Sequence, residues 1–299
     1  MPESEITLYT RIPSCGLEAY RIQQNYRNLG RFSLEQHHII LYLGHPGSRW
    51  IVKSGGKRFD TRQQPGELAF GGAGEEFESE MDGTVQDDFH VVISPESFER
   101  EIDEMGTSSK RIQIITQIGI RNPAIEQPCI DLMREIGEGN PCGPVFLEHI
   151  SIMLFESFAA VNSTASSGPR SGSVRLPKYK LSRIFEYVHA HLADNDKIKL
   201  EILAKEVGLS KFHFVRSFTA STGITPHQFV MQQRLACAKC LLADRDRSIT
   251  DIAAEVGYAP SQLSALFRRS LGISPYDYRN KKRKSAVFPL PYKGASGVF

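Results

Sequence analysis

The stretch LAKEVGLSKFHFVRSFTASTGITP, residues 203–226, returns 49 positions later as IAAEVGYAPSQLSALFRRSLGISP, residues 252–275. Leu203-Ala204 becomes Ile252-Ala253, and Val207-Gly208 becomes Val256-Gly257. Phe214 and Phe218 become Leu263 and Phe267, Gly223-Ile224 becomes Gly272-Ile273, and Pro226 becomes Pro275. Internal repetition fixes an architecture before any single local signal does. Each copy reads as a helix, a glycine turn and a second helix, over about 200–222 and 249–271. Such a unit is suited to laying its second helix in a DNA groove.

In the first copy Gly208 permits the turn and Ser210 is placed to cap the helix that follows. Phe214 and Phe218 lie one turn apart and face inward, which directs Lys211, Phe212, Val215 and Arg216 outward. There Phe212 can meet thymine methyls or sugars, or instead pack on a neighbouring helix, and Arg216 can grip guanine O6 and N7. Pro226 opens a long helix with a burying face of Phe229, Leu235, Ala238 and Leu242, which joins the two units rigidly. The second copy buries Leu263 and Phe267 and turns Ser261, Gln262, Ser264 and Ala265 outward, followed by Arg268 and Arg269. The basic run Arg279, Lys281, Lys282, Arg283, Lys284 suits phosphate contact, which carries no sequence information.

Charge divides the 299 residues. Met1–Val174 holds 15 basic and 24 acidic side chains, and Arg175–Phe299 holds 21 and 10, within a net charge of +2. A basic half beside an acidic one is a prior for a nucleic-acid partner on the basic side. The five cysteines have no framework spacing, and Cys237-x-x-Cys240 lies in a helical pattern with no partnering pair, so neither disulfides nor a metal is expected. No basic start with an apolar core opens the chain, and no run approaches the roughly 18 apolar residues of a membrane helix. A cytoplasmic protein is expected, associated with the nucleoid and with no membrane partner.

The first 28 residues offer little pattern. From Phe32 to Ile93, short β-type runs alternate with Gly and Pro: Ile39–Leu43, Trp50–Val52, Pro65–Phe70, Asp88–Ile93. Strands spaced this way suggest a sandwich or barrel, and PGELAF at 65–70 resembles the strand-opening turn of cupin-like barrels. His37 and His38 are adjacent on a strand and must face opposite ways, so they cannot share one metal. His38, Trp50, Phe70, Phe77 and His90 are the candidate lining of a small-molecule pocket in the barrel mouth, with Trp50 equally suited to the core. Ser94-Pro95 opens a helical stretch with Ser97 as a candidate cap, and 123–162 is helical, carrying stripes at Ile125, Cys129, Leu132, Ile136 and at Phe146, Ile150, Met153, Leu154, Phe158. Residues 163–177 begin with a small-residue tract of linker composition. Leu181, Ile184, Phe185, Val188 and Leu192 then mark an amphipathic helix.

Residues 200–279, with both turns, the connecting helix and the GISPYDYR ending, resemble the DNA-binding domain of AraC-type transcription regulators. The resemblance implies a sequence-specific regulator of transcription, a homodimer acting on promoter duplex DNA beside RNA polymerase, and tuned by a small effector. Carried over by position, it marks Phe212, Val215 and Arg216 as base readers of the first unit. The second unit departs from the family pattern: it is one residue short between Gly257 and Leu263, and it has Ala265 where the family often has Arg. Unit one should therefore specify sequence and unit two mainly position the protein.

The fold expected is α+β in two domains. A cupin-like β-barrel with appended helices occupies 1–122, a helical extension suited to dimerisation 123–162, a linker 163–177, an all-α DNA-binding domain 178–285, and a tail 286–299. No enzyme activity, cofactor or metal is expected. The rival readings are a cupin-type metalloenzyme fused to a DNA-binding domain and an effector-independent regulator whose first half only dimerises. A DNA-repair methyl acceptor needs a cysteine cluster near the start that Cys15 alone does not supply.

Overall fold

A computed structural model of the chain describes residues 5–25, 28–82, 85–106, 112–162 and 175–285. The linker tract at 163–174, the tail at 286–299 and the side chains of the basic run from Lys282 to Lys284 lie outside the described residues.

The first half builds two sheets. Strands β1 (Glu5–Ile12), β2 (Leu17–Asn25), β9 (Val85–Ile93), β4 (His37–Tyr42), β7 (Leu68–Gly71) and β10 (Gln117–Ile120) pair in that order. The smaller sheet runs β3 (Asn28–Ser33), β8 (Glu76–Met81), β5 (Arg49–Ser54), β6 (Lys57–Arg62). The pairing is antiparallel throughout. Among the described residues these are two separate sheets, not one closed barrel. The opening residues, which showed no pattern in sequence, supply β1 and β2.

Strand alternation gives the larger sheet two buried faces. Leu17, Ala19, Ile39, Leu41, Leu68, Phe70, Phe89, Val91 and Ile93 point to one side and form a core with the helices. Those helices are α1 (Pro95–Glu104), α2 (Pro123–Gly137) and α3 (Pro144–Asn162). Ser94, not Ser97, caps α1: its side chain accepts the Ser97 N–H at 3.2 Å, and Ser97 itself is buried. Asn122 caps α2, accepting from the Ala124 N–H at 3.1 Å. By length and mean composition α3 is apolar enough to cross a membrane, although Glu148, His149 and Glu156 break its apolar run. Here most of it is buried as a core helix.

The second half is helical: α4 (Lys178–Ala190), α5 (Leu200–Glu206), α6 (Lys211–Thr222), α7 (Pro226–Leu241), α8 (Ile249–Glu255), α9 (Pro260–Leu271) and α10 (Pro275–Ser285). The repeat sets matching boundaries. Helices α6 and α9 each have 12 residues and end on left-handed Gly223 and Gly272. A capping box between Thr225 and Gln228 starts α7. Around the second unit a smaller core gathers Ala238, Leu242, Ile252, Val256, Leu263 and Phe267. The buried face of α7 was misjudged at one point: Arg234 is 1% exposed. Its Nε donates to Leu192 O at 3.0 Å, an Nη donates to Asn195 Oδ1 at 2.7 Å, and the guanidinium lies 4.9 Å from the Tyr258 ring.

Candidate nucleic-acid interface and sheet interior

Both second helices of the repeat form as expected, but several of their outward residues, Lys211, Phe212, Val215, Arg216, Gln262 and Arg269, meet the first half of the chain. On α6, Phe212 is fully buried and Val215 nearly so, a correction to the outward orientation expected for them. The α6 face opposite Phe214 and Phe218 is covered too, and Phe212 and Val215 join the core that contains Ile152 and Phe155 of α3. Lys211 Nζ lies 2.6 Å from Glu101 of α1 and 3.7 Å from Glu104, its side chain 12% exposed and that of Glu101 1%. Arg216 faces Glu156 of α3 at 4.0 Å.

On α9, Arg269 lies 2.9 Å from Glu135 of α2, whose side chain is fully buried, and 3.7 Å from Glu138. Gln262 uses Oε1 to accept its own helix's first N–H, from Ala259 at 2.9 Å, and Nε2 to donate to Gly139 O and Asn140 O at 3.2 Å. Ser264 donates back to Pro260 O at 2.9 Å. Ser261 and Arg268 are exposed. Burial pushes the carboxyls of Glu101 and Glu135 upward, against the opposing pull of Lys211 and Arg269.

The halves meet elsewhere too. Leu200 N–H, at the start of α5, donates to Glu148 Oε2 of α3 at 2.6 Å. His149 of α3 and His227 of α7 place their rings 4.8 Å apart, and Phe146 sits 4.9 Å from His227. Burial pushes these imidazoles down to about 4 and about 3.

The other face of the larger sheet looks toward the smaller one. His38 and His90 lie there, their rings 5.8 Å apart, and His90 stacks on Tyr20 at 4.9 Å. Both ring nitrogens of His90 are shielded from solvent with no hydrogen-bond partner, and burial pushes its pKa down to about 3. Asp88, two residues away on the same face, leaves Oδ1 unpartnered, and burial pushes its carboxyl up to about 8. Trp50 donates to Ser79 Oγ at 2.8 Å. Phe77 stacks on Phe32 at 5.4 Å, and both line an open cavity of about 640 Å³ with Arg31, Lys53, Ser54 and Glu76. Phe70 is the exception among the pocket candidates. It points to the helix side and packs on Phe158 at 5.1 Å, because it pairs with Ile39, whose side chain faces the core. As the sequence required, His37 and His38 face oppositely: His37 contacts Phe98 of α1. Among the described residues, no three His, Cys, Asp or Glu are placed to hold a metal.

The comparisons with known proteins fall on the repeat. A helix-turn-helix domain model matches residues 203–281. The MmsAB operon regulatory protein of Pseudomonas aeruginosa is 37% identical over 105 residues, 35% of this chain and 34% of that protein. The regulatory protein SoxS of Salmonella typhimurium is 31% identical over 102 residues, 34% of this chain and 94% of SoxS. Among solved structures, the DNA-binding domain of AdpA in complex with a target DNA is 33% identical, covering 36% of this chain and 95% of that one, at a TM-score of 0.33. The chain belongs to the AraC-type family, whose members are DNA-binding transcription regulators rather than enzymes. Its match spans about a third of the MmsAB regulator's length, but nearly all of SoxS.

Proposed function

We propose that this protein binds promoter DNA sequence-specifically through α6 and α9 and that its first half tunes this binding in response to a small effector. The observation that carries the reading is the repeated unit itself, two like helix-turn-helix scaffolds joined by α7. Phe212, Val215 and Arg216 on α6 are the proposed base-reading set, with Lys211 as a further DNA contact. Ser261, Gln262, Ser264, Arg268 and Arg269 on α9 mainly position the second unit. The working division is sensor to 122, helical extension to 162, linker to 177 and DNA-binding domain to 285. A homodimer working beside RNA polymerase at the nucleoid fits the family.

We read the double-sheet half as cupin-like. The effector would enter beside Phe77, where the 640 Å³ cavity is of the size small ligands use. It would extend toward Trp50, His38 and His90. Unpartnered polar groups on Asp88 and His90 favour a ligand that exchanges hydrogen bonds there.

Selection of bound fragments from sheared genomic duplex tests the reading. The expected outcome is a short recurring site, with affinity falling steeply as salt rises, because released counterions drive phosphate contact. Enrichment of no site, with salt-insensitive binding, overturns it. A metabolite thermal-shift screen tests the effector, since a ligand that binds only the folded state raises stability.

A further inference from the structure

We propose that the structure is a closed state in which acidic groups of α1, α2 and α3 occupy the DNA-contacting side chains of both α6 and α9, so that DNA and the first half compete for one surface. The inference rests on the reading of α6 and α9 as the DNA-contacting helices. Each element of the helical layer contributes. Helix α1 holds Lys211 with Glu101 and Glu104. Helix α3 sets Glu156 4.0 Å from Arg216, an ionic contact without a hydrogen bond. Helix α2 holds Arg269 with Glu135 and Glu138, and the carbonyls just past its C-terminus accept from Gln262.

These are the groups a duplex offers: anionic oxygens for Lys and Arg, carbonyl acceptors for an amide. A helix C-terminus adds its own negative partial charge. The sequence divides charge in the same sense, acidic in Met1–Val174 and basic in Arg175–Phe299. Occlusion is also steric, since Phe212 at 0% exposure cannot reach a groove without leaving the core. Opening therefore exchanges one set of partners for another. Glu101 and Glu135 return to water, Lys211 and Arg269 pass to phosphate, and Phe212 passes from core to groove.

The layer is also wired to the sheet interior. Helix α1 follows β9, the strand carrying Asp88 and His90, with Ser94 alone between them. Phe98 of α1 rests on His37, the sequence neighbour of His38. A ligand that displaced β9 would act directly on the Glu101–Lys211 contact.

The test uses the full chain and a duplex pool with a randomised core, titrated by fluorescence anisotropy at several salt concentrations. Glu101→Gln with Glu135→Gln keeps side-chain shape and removes two charges. Exposed Glu80→Gln with Glu99→Gln removes the same charge elsewhere. If the closed state dominates, the first variant binds at least about tenfold tighter than the native chain, and the control changes little. The native chain also has the shallower dependence on salt, because salt weakens the closing ion pairs while it weakens DNA contact. Equal affinity and equal slope in the native chain and first variant overturn the closed state while leaving DNA binding intact. Absence of binding by every chain at low salt overturns the DNA reading beneath it. Hydrogen exchange on the unaltered chain gives a second check: saturating duplex should speed exchange in 95–104 and 123–137. Unchanged exchange in DNA-bound protein overturns the competition.

Discussion

Replacing each turn glycine of the repeat by alanine should separate two positions that the sequence makes look alike. Gly208 and Gly257 both adopt left-handed backbone, at φ +66° and +77°. An alanine there costs about 1–2 kcal/mol, offset by about 0.4–1 kcal/mol through lost freedom in the unfolded chain. At Gly208 an added methyl meets nothing within 4 Å, so Gly208→Ala should cost about 1 kcal/mol. At Gly257 it would sit 2.9 Å from Ala193 O and 3.0 Å from Leu192 O. Leu192 O is held by buried Arg234, and on the other side the Gly257 carbonyl is held by Asn195 at 2.9 Å, so the backbone cannot move apart without losing one of these bonds. Overpacking adds about 1–3 kcal/mol, which brings Gly257→Ala to about 2–4 kcal/mol. Urea unfolding followed by circular dichroism measures both, read as midpoint shifts at a common slope. Equal losses, or a larger loss in Gly208→Ala, would refute the argument from these carbonyls.

Acidification should destabilise the fold. Burial holds His37, His38, His90, His149 and His227 well below 6.5. Their folded pKa values are depressed, so the unfolded chain takes up protons first as pH falls below about 6.5, and each buried imidazole loses on the order of 1–2 kcal/mol by pH 5. Raised Asp88, Glu101, Glu135 and Glu148 act in the opposite sense, gaining as pH falls. Between pH 6.5 and 5 five histidines stand against these four carboxyls, so the melting temperature should fall there; a flat or rising profile contradicts this account. Arg234→Met should cost about 2–4 kcal/mol by leaving Leu192 O and Asn195 Oδ1 without their donors; a melting temperature within error of the native chain's would show that these bonds matter little. Once a binding site is selected, Arg216→Ala should relax base preference by about 1–3 kcal/mol at one position, with Ser264→Ala leaving preference intact. The reverse pattern sinks the view that unit one specifies sequence.

The repeat, its helix boundaries and the helical layer were legible because glycine, proline and 3.6-residue periodicity are local signals. What was not legible depended on where elements pack. Period two separates Phe70 from Ala69 but does not say which face of β7 meets the helices. Phe214 and Phe218 do fix the inward side of α6, but the opposite side, Phe212 and Val215, is buried as well, and a local pattern does not announce that another part of the chain covers it. Arg234 was unreadable as an interior residue, since its partners are backbone and amide oxygens contributed by the 192–195 turn. β1 and β2 escaped because Thr10 in β1, and Arg21 and Gln23 in β2, interrupt the apolar alternation of Ile6, Leu8, Ile12 and of Leu17, Ala19.

Helix α3 touches the sheet through Phe158 on Phe70 and the DNA-binding half through His149 on His227 and Glu148 on Leu200. One apolar core thus runs from the β-sheet into the first helix-turn-helix, leaving the second unit with a small core of its own. Cutting the chain in the 163–177 stretch would leave each fragment with a bare half of that shared core. The carboxyl-terminal fragment would carry Phe212 and Val215 uncovered and be sticky in the absence of DNA, a solubility problem that joint expression of the two fragments should relieve.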